Sequence, residues 1–332
     1  MGVKLSPCTR EDLQARQARG RVIAFCSSIL EARTPPRSHV AIMLRRARHT
    51  LMLAALLMWI PFGANAQQVP ASAYQVGDEE PLAEKVTDPV AYLTQLQIKD
   101  PYTPAQYGTN AQPNTVQLRA IFALRPFLFI PLDQIIRPTI KIVTVPNGKG
   151  ASTTTTYDDM QLLDLFVMPW PNERETHFRW GIGPYLIFPT SASDRVGKGS
   201  WQAGPALGFS YRGITGLNLS ALLQQATSFA YTSSNSVPAS SLTVQPLLSY
   251  QLGHDWYLKS SDATWTINWR HNTSTTIPMS AGFGKVWRFA NDLALDTSVS
   301  GEWMLYRQFA KQTEQFTLNF QAGLLFPKLD LD

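Results

Sequence analysis

Along most of this chain the side-chain character repeats with a period of two, over runs long enough to dictate an architecture. Across 176–188 the even positions read Phe178, Trp180, Ile182, Pro184, Leu186 and Phe188, and the odd ones include His177, Arg179, Gly181, Gly183 and Tyr185. Across 201–212 one parity is Trp201, Ala203, Pro205, Leu207, Phe209 and Tyr211, against Gln202, Gly204, Ala206, Gly208, Ser210 and Arg212. The last run sets Phe316, Leu318, Phe320, Leu324 and Phe326 against Gln315, Thr317, Asn319, Gln321 and Gly323. Successive side chains of a strand point to opposite faces, so each run predicts a strand with one apolar face and one polar or minimal face.

Alternation alone does not say which face meets water; strand length and the rhythm of the connections do. The runs extend over about 11–15 residues, whereas strands of globular domains average about 5–6. A tilted strand needs about 9–11 residues to cross hydrocarbon. The breaks alternate as well: 190–200 is long, 213–215 short, 227–240 long, 253–255 short, 270–277 long, 290–292 short and 306–313 long. Transmembrane barrels alternate long extracellular loops with short periplasmic turns. The expected fold is therefore all-β, an antiparallel transmembrane β-barrel of about twelve strands (about ten to fourteen at the limits), with both termini periplasmic. Its first strand is expected at 88–99 and its last at 314–326. Each backbone group left unpaired in hydrocarbon costs several kcal/mol, so such a sheet must close on itself. Trp170, Tyr250, Trp256, Trp269, Trp287 and Trp303 fall near strand ends, where aromatic girdles meet lipid headgroups. Pro184, Pro205 and Pro246 lie inside strands and read as bulge or kink sites.

Charge divides the chain into two parts. Residues 1–66 hold 10 of the 29 Lys and Arg but 3 of the 24 Asp and Glu, leaving 19 basic and 21 acidic groups beyond them. The basic excess belongs to a leader, and no nucleic-acid partner is expected. Arg45, Arg46, Arg48 and His49 precede the apolar run 51–60, then come Pro61, Gly63 and the small Ala64-Asn65-Ala66, the layout of a signal peptide over 43–66. Met43 reads as the natural start, which makes 1–42 an upstream extension. Both cysteines, Cys8 and Cys26, lie in that extension. The exported chain then has neither thiol nor disulfide and must depend on a large core or a closed sheet. Residues 67–87 read as a flexible periplasmic segment, 88–328 as the barrel and 329–332 as a C-terminal tail. The expected location is the bacterial outer membrane, and the expected partners are outer-membrane lipid, the barrel-insertion machinery and a small-molecule solute.

Trp180-Gly-Ile-Gly-Pro184 and Trp201-Gln-Ala-Gly-Pro205 echo one another on consecutive strands, which places their glycines on one part of the wall. They read as sites of wall bending and close packing, or else as a smooth patch facing solute. Together with Gln134-Ile-Ile-Arg137-Pro138-Thr, Gln161-Leu-Leu-Asp164-Leu-Phe, Phe188-Pro-Thr190, Gln245-Pro246, Gly284-Lys285-Val286 and Leu325-Phe-Pro-Lys328, in this order, they resemble the outer-membrane channels of the MetA-pathway-of-phenol-degradation type. The resemblance runs over about residues 88–328 of this chain. It implies a Gram-negative outer-membrane barrel admitting small, apolar or aromatic compounds. The chain departs from it by running on as Leu329-Asp-Leu-Asp332 beyond Phe326, the terminal aromatic that insertion machinery would read.

If the apolar parity meets lipid, the opposite parity faces the lumen. That makes Arg119, Arg179, Arg212, Asp296, Glu302, Gln315, Asn319 and Gln321 the expected pore-lining residues. Their mixed charges would form either an electrostatic constriction or ion pairs that brace a closed lumen. No catalytic, cofactor or metal site is expected, because no paired histidines with carboxylates occur. The expected function is a channel for uptake of small molecules, not an enzyme. A non-conducting structural or binding barrel is the alternative, and an outer-membrane acylhydrolase using His271-Asn-Thr-Ser274 is the third.

Overall fold

The computed structural model describes residues 82–327, apart from 127–131, 149, 151, 169–176, 194, 233–235, 261, 271–272, 290–292 and 311–312. The expected signal peptide, the upstream extension, residues 67–81, Trp170, His271 and the tail 329–332 therefore lie outside the described residues. Among the described residues one short helix, α1 (Leu82–Lys85), precedes the strands. They are β1 (Thr94–Tyr107), β2 (Asn114–Leu124), β3 (Asp133–Pro146), β4 (Thr153–Tyr157), β5 (Met160–Val167), β6 (Phe178–Phe188) and β7 (Ser200–Ile214). There follow β8 (Leu217–Tyr231), β9 (Ser240–Gly253), β10 (Trp256–Ser260), β11 (Trp265–Asn268), β12 (Ser274–Arg288), β13 (Ala294–Gln308) and β14 (Thr313–Phe326).

Fourteen segments make twelve staves. β4 and β5 both pair with β3, and β10 and β11 both lie between β9 and β12, so each couple is one interrupted stave. Every pairing is antiparallel between sequence neighbours, and β1 closes the wall on β14 from Thr94↔Phe326 to Tyr107↔Thr313. The result is a closed all-β barrel of 12 staves. The first stave begins six residues later than its hydrophobic pattern predicts, at Thr94 in place of 88. Residues before it are apolar because they pack inside the mouth, a burial that a strand template also matches.

The wall turns its apolar parity outward. Leu118 lies between Ile98 and Ile140 in register, and all three are exposed, so one greasy file crosses three staves. Ile98 is 54% exposed and Leu305 62%, with Leu96, Ile182, Leu207, Leu219, Leu258, Met279 and Phe283 continuing the belt. Alternate residues point inward, where Gln202, Ser210, Asn218, Ser220, Ser298, Ser300, Thr317 and Asn319 are buried. An exposed apolar surface of this extent would aggregate in water, whereas in hydrocarbon it is the ordinary outer face of a barrel. Aromatic pairs mark both rims: Phe188 edges onto Trp201 at 5.5 Å and Trp303 packs on Phe316 at 5.4 Å towards one end. At the other end Lys285 sits over the rings of Trp256 and Trp287 at 5.0 and 4.2 Å. Trp256, Trp269, Trp287, Trp303 and Tyr250 all face outward. This is a bacterial outer-membrane barrel.

Both ends of the sheet and its tightest turns share one rim, the periplasmic one. At the β9–β10 turn His254 and Asp255 have φ of 53° and 61°, the two consecutive left-handed residues of a hairpin turn that suits strand twist. Arg288 closes over it with a 2.9 Å bond to Asp255. The expected alternation of long loops and short turns holds from β6 to β10; after it the expected long loops shrink to 269–273 and 309–312, no longer than the turn 289–293, and before it the rhythm is absent. The periplasmic connections 125–132 and 168–177 are as long as the extracellular ones, while β7, β8, β12 and β13 extend their ladders into stretches that the sequence assigns to loops.

Two kinds of proline interrupt the ladder. Pro184 and Pro205 face each other across β6 and β7. On their far sides pairing skips from Leu163↔Tyr185 to Phe166↔Ile182, and from Ala203↔Thr227 to Ala206↔Gln224, without a change of register. A proline has no N–H to donate, so the ladder opens locally rather than bulging. Gly183 and Gly204 fill those gaps: a Cβ there would sit 1.8 Å from the Asp164 carbonyl oxygen and 2.0 Å from that of Gln225. Wall packing thus accounts for these glycines. The second kind, Pro246 on β9 and Pro278 on β12, flanks the break between β10 and β11 on either side.

Candidate functional site

At that break the wall folds inward. Neither flanking proline can offer an N–H, and residues 262–264 lie off the ladder between β10 and β11. The freed N–H groups of Asp262 and Ala263 donate to the Ser280 hydroxyl at 3.3 and 3.2 Å, which spares them an unpaired burial. Asp262 is thereby held in the lumen. Its carboxylate accepts from Lys99 at 2.8 Å and Lys259 at 2.9 Å, and from the Ser300 hydroxyl. A buried carboxylate needs such compensation, since burial of an unpaired charge costs several kcal/mol.

Residues 82–93 occupy the periplasmic mouth. Leu82, Ala83, Val86 and Leu93 pack with the inward side chains Tyr257, Val286, Ala294 and Leu325. Val90 reaches a second apolar cluster with Ile135, Leu163, Leu165, Tyr185, Ala206 and Leu222. Polar clasps fix the segment: Thr87 donates to Ser249 at 2.8 Å, Asn218 donates to the Glu84 carbonyl at 3.3 Å, and Arg212 is bonded to Asp88. Residues 82–87, which the sequence presents as loose, are packed.

Above this segment lies a cavity of about 520 Å³, and against it a smaller one of about 60 Å³. The larger is lined mostly by Gln, Thr and charged side chains, with Pro101, Val143, Leu163, Tyr185, Pro278 and Met304 as its less polar members. The smaller is floored by Val86, Thr87, Asp88 and Pro89. Lys99, Arg119, Arg137, Gln245 and Asp262 line both and mark the waist between them.

Register explains how the cations gather. Arg119 lies opposite Thr139 and Gln97, which sets it diagonally next to Arg137 and Lys141 on β3 and to Lys99 on β1. Diagonal neighbours stand about 7–8 Å apart, and at an effective dielectric of about 20 two like charges at that spacing repel by about 2 kcal/mol. None of the described carboxylates lies within ion-pair distance of Arg119, Arg137 or Lys141, and the Arg119 Nε is buried without a hydrogen-bond partner. Glu302 and Glu314 face the larger cavity from β13 and β14, accepting from Asn319 and Thr317 at 3.5 and 3.3 Å. The lumen therefore has a basic side on β1–β3 and an acidic side on β13–β14, with Asp262 between.

Of the residues expected from parity, Arg119, Glu302 and Asn319 line the larger cavity and Gln321 the smaller. Asp296 is fully buried near the periplasmic rim, accepting from Tyr257 at 2.6 Å and Gln321 at 3.2 Å. Arg212 clasps Asp88, and Arg179 is half-buried beside Ser210 of β7, outside both cavities. Gln315 is exposed, because an irregularity where Ala105 faces Phe316 turns its neighbour Glu314 inward. Sequence reasoning missed Lys99, Arg137, Lys141, Lys259 and Asp262. The first three alternate with apolar residues and were readable by parity. Asp262 was not, although Ser260 and Asp262, turn-forming residues inside a stave, were its signal. Among the described residues no group of His, Cys, Asp and Glu is arranged to hold a metal ion. Ser274 opens β12 opposite Asn268.

No family model matches the chain, and no curated protein matches it. Among solved structures it is similar to an outer-membrane channel from Pseudomonas putida F1, at 13% identity and a TM-score of 0.49, over 75% of this chain and 100% of that one. It is also similar to the NanC porin, at 11% identity and a TM-score of 0.43, over 70% and 100% of the two chains. A third is the Pseudomonas putida toluene transporter TodX, at 11% identity and a TM-score of 0.34, over 74% and 93%.

Proposed function

We propose that this barrel is a channel that lets small, water-soluble molecules cross the outer membrane, and that it stands with the MetA-pathway-of-phenol-degradation channels that its short motifs resemble. The observation that carries this reading is the polar cavity of about 520 Å³ enclosed by a wall whose outer face is apolar. Lining amides, hydroxyls and charges replace a solute's hydration shell, which is the requirement for passage through a narrow pore. Hydrocarbon gains nothing from such a lining. The aromatic compounds that the resemblance implies suit this lumen when they carry a hydroxyl or carboxylate. In this reading Arg119, Glu302, Asn319 and Gln321 line the path, while Arg212 and Asp296 hold its periplasmic end together. The chemistry is passage, with no bond made or broken in the solute.

One observation favours a second reading, a barrel that binds solute without conducting: residues 82–93 fill the periplasmic mouth. Reconstitution of the purified barrel in planar bilayers separates the two. Stepwise conductance in potassium chloride supports the channel; silent bilayers containing correctly folded, heat-modifiable protein support the non-conducting barrel.

A further inference from the structure

We infer that the waist of the lumen is a binding station for small organic acids, with the guanidinium groups of Arg119 and Arg137 receiving the carboxylate. This rests on the channel reading for its role in passage but not for the binding itself.

Charge at the level where the two cavities share their lining decides the sign. The charged residues common to both cavities are Lys99, Arg119, Arg137 and Asp262, three cations against one anion. Asp262 is already engaged by Lys99 and Lys259. The two arginines thus stand at the waist with no described carboxylate within ion-pair distance, and Lys141 adds a third positive charge to the larger cavity. The other carboxylates facing the lumen, Asp158, Glu302 and Glu314, line only the larger cavity. They balance its outer part without reaching the waist. Adjacent like charges persist in a folded protein when something offsets their repulsion, and an oxyanion held by guanidinium forks does so with directed bonds. A solute arriving in the larger cavity would be drawn to the layer where the positive charges stand unpaired.

Two measurements on the intact barrel test this. First, citrate and inorganic phosphate are titrated calorimetrically into the detergent-solubilised protein at low salt. Citrate is expected to bind, and to bind at least about tenfold more weakly to Arg119→Gln/Arg137→Gln, a loss of two charge-assisted contacts. Asp262→Asn, which releases Lys99 and Lys259, is expected to bind citrate more tightly than the wild type. Second, the reversal potential across a potassium chloride gradient is expected to show chloride preference, abolished in the double variant. Citrate affinity that is absent, or equal in wild type and heat-modifiable double variant, overturns the station. Phosphate binding tighter than citrate overturns its assignment to organic acids. Citrate binding by a barrel that never conducts supports the station and overturns the channel reading alone.

Discussion

Leu207 sits at the middle of β7, on the face turned to lipid, opposite Ile182 and Leu223 on the neighbouring staves. Leu207→Arg is expected to cost about 2–4 kcal/mol, the depth-dependent penalty of a cation at the bilayer midplane. Urea titration of folding into lipid vesicles, read as the heat-modifiable band, measures it. A variant as stable as the parent would mean that this face does not meet hydrocarbon. The inner face has a different sensitivity. Gly183→Ala places a methyl group inside the van der Waals radius of a backbone carbonyl, and the opened ladder at Pro184 must move to admit it, at about 1–3 kcal/mol. Gly208→Ala meets side-chain carbons, those of Val90, Leu165 and Leu222 at 3.0, 3.2 and 3.8 Å. It is therefore expected to cost less in the same titration.

At the scale of the element, the informative pieces are those that depart from the strand. Twelve staves were legible because period-two alternation survives along most of them, β4 (Thr153–Tyr157) and β5 (Met160–Val167) being the pieces that do not keep it. What escaped was the geometry that alternation does not encode. Residues 82–87 read as loose and 88–93 as the start of a strand, yet both stretches bury their leucines and valines against the inner wall. Pro246 showed in the sequence as an awkward residue, yet its meaning depends on Pro278 and on the interrupted stave between them, partners about 30 residues and one fold away. The mouth segment makes its own prediction. Arg212 is the ionic clasp on Asp88, and removing one member of a buried pair costs about 3–5 kcal/mol. Arg212→Ala should loosen residues 82–93 and raise single-channel conductance by roughly twofold or more, as a constriction relaxes. Unchanged conductance would show that the apolar contacts of Val86 and Val90 suffice to seat the segment.

For the whole molecule, closure is the property on which the others depend. A sheet ending at β1 and β14 without joining them would expose two rows of unpaired N–H and C=O groups to lipid, at several kcal/mol per group, and would leave the inward polar parity without an enclosed lumen. The joining register runs through Ile98↔Ala322, two outward, exposed positions at opposite ends of the chain. Residues opposite each other in an antiparallel ladder have Cα atoms about 4.5–5.5 Å apart, within the range that a disulfide spans. Ile98→Cys/Ala322→Cys, in a protein whose own cysteines, Cys8 and Cys26, are replaced by serine, should therefore oxidise readily to an intramolecular crosslink once folded. It should remain reduced when oxidation is attempted at high dilution in urea. The crosslinked chain should run faster than its reduced form on a denaturing gel after boiling, because the covalent loop encloses nearly the whole barrel sequence. Moving one cysteine to Gln321→Cys turns its side chain to the lumen and out of register. Crosslinking should then fall sharply, and equal yields from both pairs would mean that β1 and β14 meet in some register other than the one that encloses the cavity.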